Sequence, residues 1–176
     1  MSGLATVNFS TFTALLLYKW ENGTFVLDDD ENQLSITDGY WGGQYNHDWA
    51  DYDNDGDLDL VSGGISIFDN TNYLTIFKNN NGILSKDTIQ TDLIPLFPCA
   101  LIWIDINGDN YKDLLTLGRF QLNGVSHMYI NDGMGKLIKS SDQPFEIPSI
   151  LHAISVWDHN SDGYDDIAIA HPVSYT

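Results

Sequence analysis

Nine residues, Asp51 to Asp59 (DYDNDGDLD), place five aspartates at alternating positions around Gly56. Carboxylates packed this closely repel one another unless a cation sits among them. Alternating oxygen donors around a sharp turn suit calcium, which takes about six to eight oxygen ligands and tolerates irregular geometry. In this reading Asp51, Asp53, Asp55 and Asp59 offer side-chain oxygens, and Asp57 offers its backbone carbonyl. Gly56 supplies the positive φ that the turn needs. The pattern returns as DINGDNYKD from Asp105 and DHNSDGYDD from Asp158. The second ligand set is Asp105, Asn107, Asp109, Tyr111 and Asp113, with Asn110 in the turn. The third is Asp158, Asn160, Asp162, Tyr164 and Asp166, with Gly163 in the turn. Tyrosine at the seventh place supports the carbonyl assignment, since a phenol is not a usual calcium ligand. Up to three Ca2+ ions are therefore expected. Magnesium is disfavoured by its demand for octahedral geometry, and zinc by the lack of Cys or clustered His. These are not EF-hands: Ser62, Thr116 and Ile169 stand where a bidentate Glu would close the loop. Ligand charge ranks the first loop tightest, with its extra carboxylate at Asp53.

The elements that carry these loops repeat with them. The first aspartates are separated by 54 and 53 residues, a period that indicates a propeller or solenoid. Trp49, Trp103 and Val156 each stand two residues before the first aspartate. Leu60, Leu114 and Ile167 open short apolar runs after the last one. Those runs are β-rich and bounded by Gly and Asp, so they read as strands. IFKNNNGIL, MYINDGMGKL and LYKWENGTF each read as strand, tight turn, strand, and Asn81-Gly82 and Asn22-Gly23 are strong hairpin signals. Each unit thus holds four short strands, the content of a propeller blade. The expected fold is all-β: β-propeller blades of four antiparallel strands in a partial or open propeller of about three repeats with calcium loops. One domain is expected, with repeats at 1–46 (incomplete), 47–100, 101–152 and 153–176 (incomplete). Trp49, Trp103 and Trp157 are expected to pack between blades. Tyr40-Trp41-Gly42-Gly43 is a candidate exposed loop for stacking a sugar or peptide, and Asp28 to Glu31 a solvated connection.

The composition is globular, at 43% hydrophobic and 12% aromatic residues. Twenty-five acidic residues against 7 basic ones give a net charge of −18, which argues against nucleic acid and anionic membranes as partners. Cys99 is the only cysteine, so an intrachain disulfide is excluded. No apolar run reaches the roughly 20 residues a membrane helix needs. No signal peptide is legible at the start of the chain. His47, His127, His152, His159 and His171 form no metal spacing and no evident nucleophile set. Every paired aspartate is accounted for as a ligand. No catalytic residue is expected, and the chain does not read as an enzyme.

The run W-x-D-x-D-x-D-G-x-x-D-L, at Trp49 to Leu60, resembles the FG-GAP/VCBS repeat of integrin α-subunit-like β-propellers. The resemblance implies four-stranded blades with calcium held between the first two strands of each. It also implies a secreted or cell-surface protein acting in adhesion, as a lectin, or as a non-catalytic part of a larger exported protein. The expected function is a calcium-binding extracellular module for protein or glycan binding, with calcium structural. The alternative is a lectin-like module or a non-catalytic segment of a secreted polysaccharide-active enzyme. The expected partners are an unidentified protein or glycan, with no nucleic acid and no membrane insertion. Closed propellers usually hold more blades, so a fragment of a longer chain is favoured over an open arc or half of a two-copy ring.

Overall fold

The computed structural model describes residues 18–27, 44–65, 71–95, 98–120, 123–142 and 153–170. Among these residues the regular structure is all strand. β1 (Tyr18–Glu21) and β2 (Thr24–Leu27) form a hairpin. β3 (Gln44–Ala50), β4 (Asp59–Ile65), β5 (Asn72–Asn80) and β6 (Ile83–Lys86) form a four-stranded antiparallel sheet in chain order. β7 (Pro98–Ile104), β8 (Asp113–Phe120), β9 (Asn123–Asn131) and β10 (Leu137–Lys139) repeat that sheet. β11 (Ala153–Trp157) and β12 (Asp166–Ala170) begin the pattern again. Each acidic loop joins the first two strands of its sheet. The described residues close no barrel or propeller ring.

Turn chemistry explains the hairpins. Asn22 and Gly23 have φ of +50° and +86°, and Asn81 and Gly82 have +53° and +89°. Positive φ at both central residues matches the right-handed twist of the flanking strands. The β9–β10 connection departs from the expected tight turn. Asp132 Oδ1 accepts the N–H of Met134 at 2.8 Å and of Lys136 at 3.1 Å, and the Asp132 N–H donates to the Lys136 carbonyl at 3.0 Å. One carboxylate thereby closes a wider loop, and that loop reaches the neighbouring sheet.

Strand alternation puts apolar residues on both faces of the second sheet, as in any sheet covered twice. Leu101, Trp103, Leu114, Tyr129 and Leu137 pack against Ala50, Tyr52, Val61 and Ile76 of the first sheet. On the opposite face, Ala100, Ile102, Ile104, Leu115 and Leu117 meet Ile154, Val156 and Ile167 of the third. Leu60, Phe77 and Leu84 gather with Trp49 in a third cluster. Trp103 is buried and stacks on Tyr52, with centroids 5.2 Å apart and planes 9° from parallel. Trp157 does not follow. It stands one residue beyond Val156, so alternation turns it to the other face, where it is 47% exposed and edge-on to His159. Packing between sheets therefore falls to Trp103 and Val156, while Trp49 gathers with residues of its own sheet. The Tyr40–Gly43 and Asp28–Glu31 segments, His152, His171 and the Cys99 side chain lie outside the described residues.

The sheets are also joined by polar bonds. Asp48 on β3 accepts the Trp103 N–H of β7 through Oδ2 at 2.8 Å. Truncating Trp103 to alanine removes the stack on Tyr52 and opens a void between the two sheets. The expected loss is about 3–5 kcal/mol of unfolding free energy in a denaturant titration, the range for large aromatic truncations in a core.

Candidate metal centre

The three acidic loops share one internal bonding scheme. Oδ1 of the first aspartate accepts the N–H of the fifth residue: Asp51 from Asp55 at 3.0 Å, Asp105 from Asp109 at 3.1 Å and Asp158 from Asp162 at 3.1 Å. Oδ2 accepts the N–H of the sixth: Gly56 at 3.0 Å, Asn110 at 2.8 Å and Gly163 at 2.9 Å. Oδ1 of the fifth residue accepts the seventh N–H, of Asp57, Tyr111 or Tyr164, at 2.9, 2.9 and 3.0 Å. These bonds wrap the backbone around the first carboxylate. Two positions in each loop must be left-handed to allow it. The sixth was anticipated from the sequence, and the fourth was not. Asn54, Gly108 and Ser161 hold the fourth position at φ of +57°, +76° and +62°.

The ninth aspartate ties each loop to its sheet. Asp59 and Asp113 are fully buried. Asp59 accepts the Tyr52 N–H at 3.3 Å through Oδ2 and the Asn79 N–H of β5 at 2.8 Å through Oδ1. Asp113 does the same with Ile106 at 2.9 Å and Asn131 of β9 at 2.7 Å. In the third loop Asp166 accepts the His159 N–H at 2.9 Å. Burial pushes the Asp59 carboxyl up to about 6, with Asp53 and Asp55 adding repulsion against the two stabilising N–H bonds. Asp113 is raised for the same leading reason.

Asn79 and Asn131 were not singled out from the sequence, although each stands near the end of the third strand of its sheet, just before the hairpin connection. Asn79 Nδ2 donates to the Leu58 carbonyl at 3.0 Å. Asn131 Nδ2 donates to the Lys112 carbonyl at 3.1 Å and to Tyr52 O, in the first loop, at 2.7 Å. Asn131 thus bridges two acidic loops. The 87–94 connection makes a second bridge. Tyr52 Oη donates to Asp87 at 2.6 Å, and Gln90 Nε2 donates to Asp87 and to the Gly135 carbonyl at 2.9 and 2.6 Å.

The first loop brings three predicted ligands together. Oxygens of Asp51, Asp53 and Asp59 lie within 4.8 Å of one another. Calcium–oxygen bonds of about 2.3–2.6 Å place ligands on opposite sides of an ion roughly 4.6–5.2 Å apart, so this spacing fits. Asp53 Oδ1 is buried with no protein partner, as an ion ligand would be. Its other oxygen, Oδ2, meets Lys78 Nζ at 2.9 Å. Asp55 is exposed and bonded to the Asp57 N–H, and the Asp57 side chain turns away to accept the Asn81 N–H at 2.7 Å. In the other loops Asn107 and Asn160 take the place of Asp53. Their Nδ2 groups donate to Asp109 at 2.9 Å and Asp162 at 3.0 Å, and their Oδ1 atoms accept the same residues' N–H. The ring of Tyr111 lies against Gly133, and that of Tyr164 against Gly108 of the second loop.

The fold and the loops define an all-β repeat protein whose units are acidic loops on antiparallel sheets. Residues 105–169 match the family model described as FG-GAP-like repeat, which spans the second acidic loop through the third. That stretch is thus similar to an FG-GAP-like repeat, consistent with the family the sequence resembles. A search of curated proteins returned no match.

Two outcomes follow from this geometry. Asn131→Ala takes the donor from one buried and one part-buried carbonyl and costs roughly 2–4 kcal/mol by denaturant unfolding, whereas Asn79→Ala, which takes the donor from one exposed carbonyl, costs less. In chelator, melting temperature rises as pH falls from about 7 to 5. The folded Asp59 and Asp113 hold a proton more tightly than the unfolded chain, so acidification favours the fold. Asp59→Asn removes much of that slope.

Proposed function

We propose that the chain is a calcium-stabilised β-propeller segment acting as an extracellular module for binding a protein or glycan. The Asp51–Asp53–Asp59 cluster carries this reading, because its three oxygens lie at ion-ligand spacing and Asp53 keeps a buried oxygen with no protein partner. Repetition of the loop scheme at Asp105 and Asp158 extends the proposal to three ions. Asp51, Asp53 and Asp59 would hold the first ion with Asp55 and the Asp57 carbonyl. Asp105, Asn107, Asp109, Asp113 and the Tyr111 carbonyl would hold the second. Asp158, Asn160, Asp162, Asp166 and the Tyr164 carbonyl would hold the third. Bound calcium supplies positive charge that offsets carboxylate repulsion and rigidifies the strand-to-strand turn. The four-stranded sheets read as blades, each passing its core to the next through β3, β7 and β11. We assign no reaction to the chain. Among the described residues no helix is long and apolar enough to cross a membrane. Secretion is proposed from the repeat family. The remaining blades would come from a longer chain or a second copy.

A lectin is the second reading. Trp20 and Phe25 on the β1–β2 hairpin form an edge-on pair at 4.8 Å and are 64% and 67% exposed, an aromatic surface suited to sugar stacking.

Chelation is expected to lower the melting temperature, with about 2.7 kcal/mol lost per site if calcium had stood at a hundred times its Kd. Identical melting curves with and without chelator would remove the structural-calcium reading. On a glycan array, a lectin gives calcium-dependent signals that Trp20→Ala weakens. A protein-binding module gives none.

A further inference from the structure

We propose that Lys78 is a tethered counter-charge of the first acidic loop: it holds Asp53 through one carboxylate oxygen and brings the charge of that loop's side-chain ligands level with that of the second loop's. This rests on the calcium reading above and revises the ranking that ligand charge alone suggests.

Lys78 is fixed from several sides. Its Nζ stands 2.9 Å from Asp53 Oδ2 and 5.6 Å from the centroid of the Tyr52 ring. Tyr52 is itself fully buried and anchored on Asp87. The β9–β10 loop closes over the pair: a Cβ at Gly135 would lie 3.2 Å from Asp53 Cβ and 4.0 Å from Lys78 Nζ. The ammonium is therefore held beneath a neighbouring sheet's loop and cannot be treated as a free surface charge. Asp53 Oδ1 stays buried without a protein partner, so one oxygen is engaged and the other is left for an ion.

The second unit shows the complementary arrangement. Lys78 and Ile130 both directly precede the asparagine that bonds the ninth aspartate, so they occupy equivalent places. Asn107 likewise stands where Asp53 does. Both members of the pair differ together between the two units. One unit has carboxylate with ammonium, and the other has neutral amide with neutral alkyl. The one extra ligand carboxylate of the first loop, Asp53, is thus matched by one positive charge bonded to its outer oxygen. Asp87 and Asp59 also face Lys78 and strengthen its hold. The expected result is that the first and second loops bind calcium with similar affinity.

The test is a pairwise cycle in the full chain. Calorimetric calcium titration and melting in chelator are compared for the wild type, Lys78→Ile, Asp53→Asn and the double variant, which writes the second loop's pair into the first. Lys78→Met serves as a further single variant that keeps an unbranched stem against Tyr52. Removing the ammonium is expected to tighten one class of sites about five- to tenfold, the scale of one charge near an ion in a partly solvated site. It should also lower the melting temperature in chelator, where Asp53 loses the cation bonded to it. Asp53→Asn should weaken one class of sites by a similar factor, and the double variant should return near wild type in both measurements. Unchanged or weakened calcium binding in both Lys78 variants overturns the proposal, as does a double variant whose effects simply add. A wild type that takes up no calcium overturns the metal reading instead. The melting temperatures in chelator then still decide whether Lys78 neutralises Asp53.

Discussion

The structure depends on a carboxylate taken out of water at the foot of each complete acidic loop. Asp59 and Asp113 are fully buried, yet each accepts one N–H from its own loop and one from the third strand of its sheet. A buried carboxylate without such donors is costly, and one with two of them is a strong, directional tie. That tie fixes the loop against the sheet and sets where the second strand begins. It also concentrates negative charge at the turn between the first two strands of each sheet. Repulsion there is the stress that a cation, or a lysine in the right place, relieves.

Neighbouring units are coupled through the same region. Asn131 bonds a carbonyl of its own loop and one of the preceding loop, so the two turns cannot shift independently. Tyr52 stacks on Trp103 below and bonds Asp87 above. Gln90 carries the chain onto Gly135 and accepts the Leu137 N–H at 3.0 Å. Between the second and third loops the link is lighter, with Tyr164 over Gly108 and Lys112 near Asp165 at 3.4 Å. Rigidifying one loop should therefore stiffen its neighbour, most strongly from the first loop to the second. The apolar clusters between the sheets provide the larger share of cohesion, and the polar bridges set the register in which those clusters meet.

Much of the local structure was legible because local rules decide it. Alternating Asp or Asn around a glycine or asparagine gave the three turns, and Asn-Gly gave both two-residue hairpins, since those residues alone accept the required φ at low cost. The common place of Trp103 and Val156 marked the face that packs on a neighbouring sheet. Trp157 misled, because proximity in sequence to a repeat position is not the same as sharing its side of the strand. The left-handed fourth position also escaped notice. Asn54, Gly108 and Ser161 have little in common as residue types, and the constraint on them comes from closing the loop on the first carboxylate.

What the sequence by itself determined was the all-β repeat, its period, the place of the acidic loops and the donor chemistry they present. These follow from periodicity and turn preference, which act over a few residues. Only the tertiary structure decided which donors converge. Asp51, Asp53 and Asp59 meet, whereas the Asp57 side chain is drawn off by Asn81. Only the fold could bring Lys78 onto Asp53 and lay Gly135 over both, because those residues are far apart in the chain and meet through sheet pairing and sheet-on-sheet packing. The physical reason is that ligand type is a property of a residue, whereas the net charge of a site is a property of everything the fold folds around it.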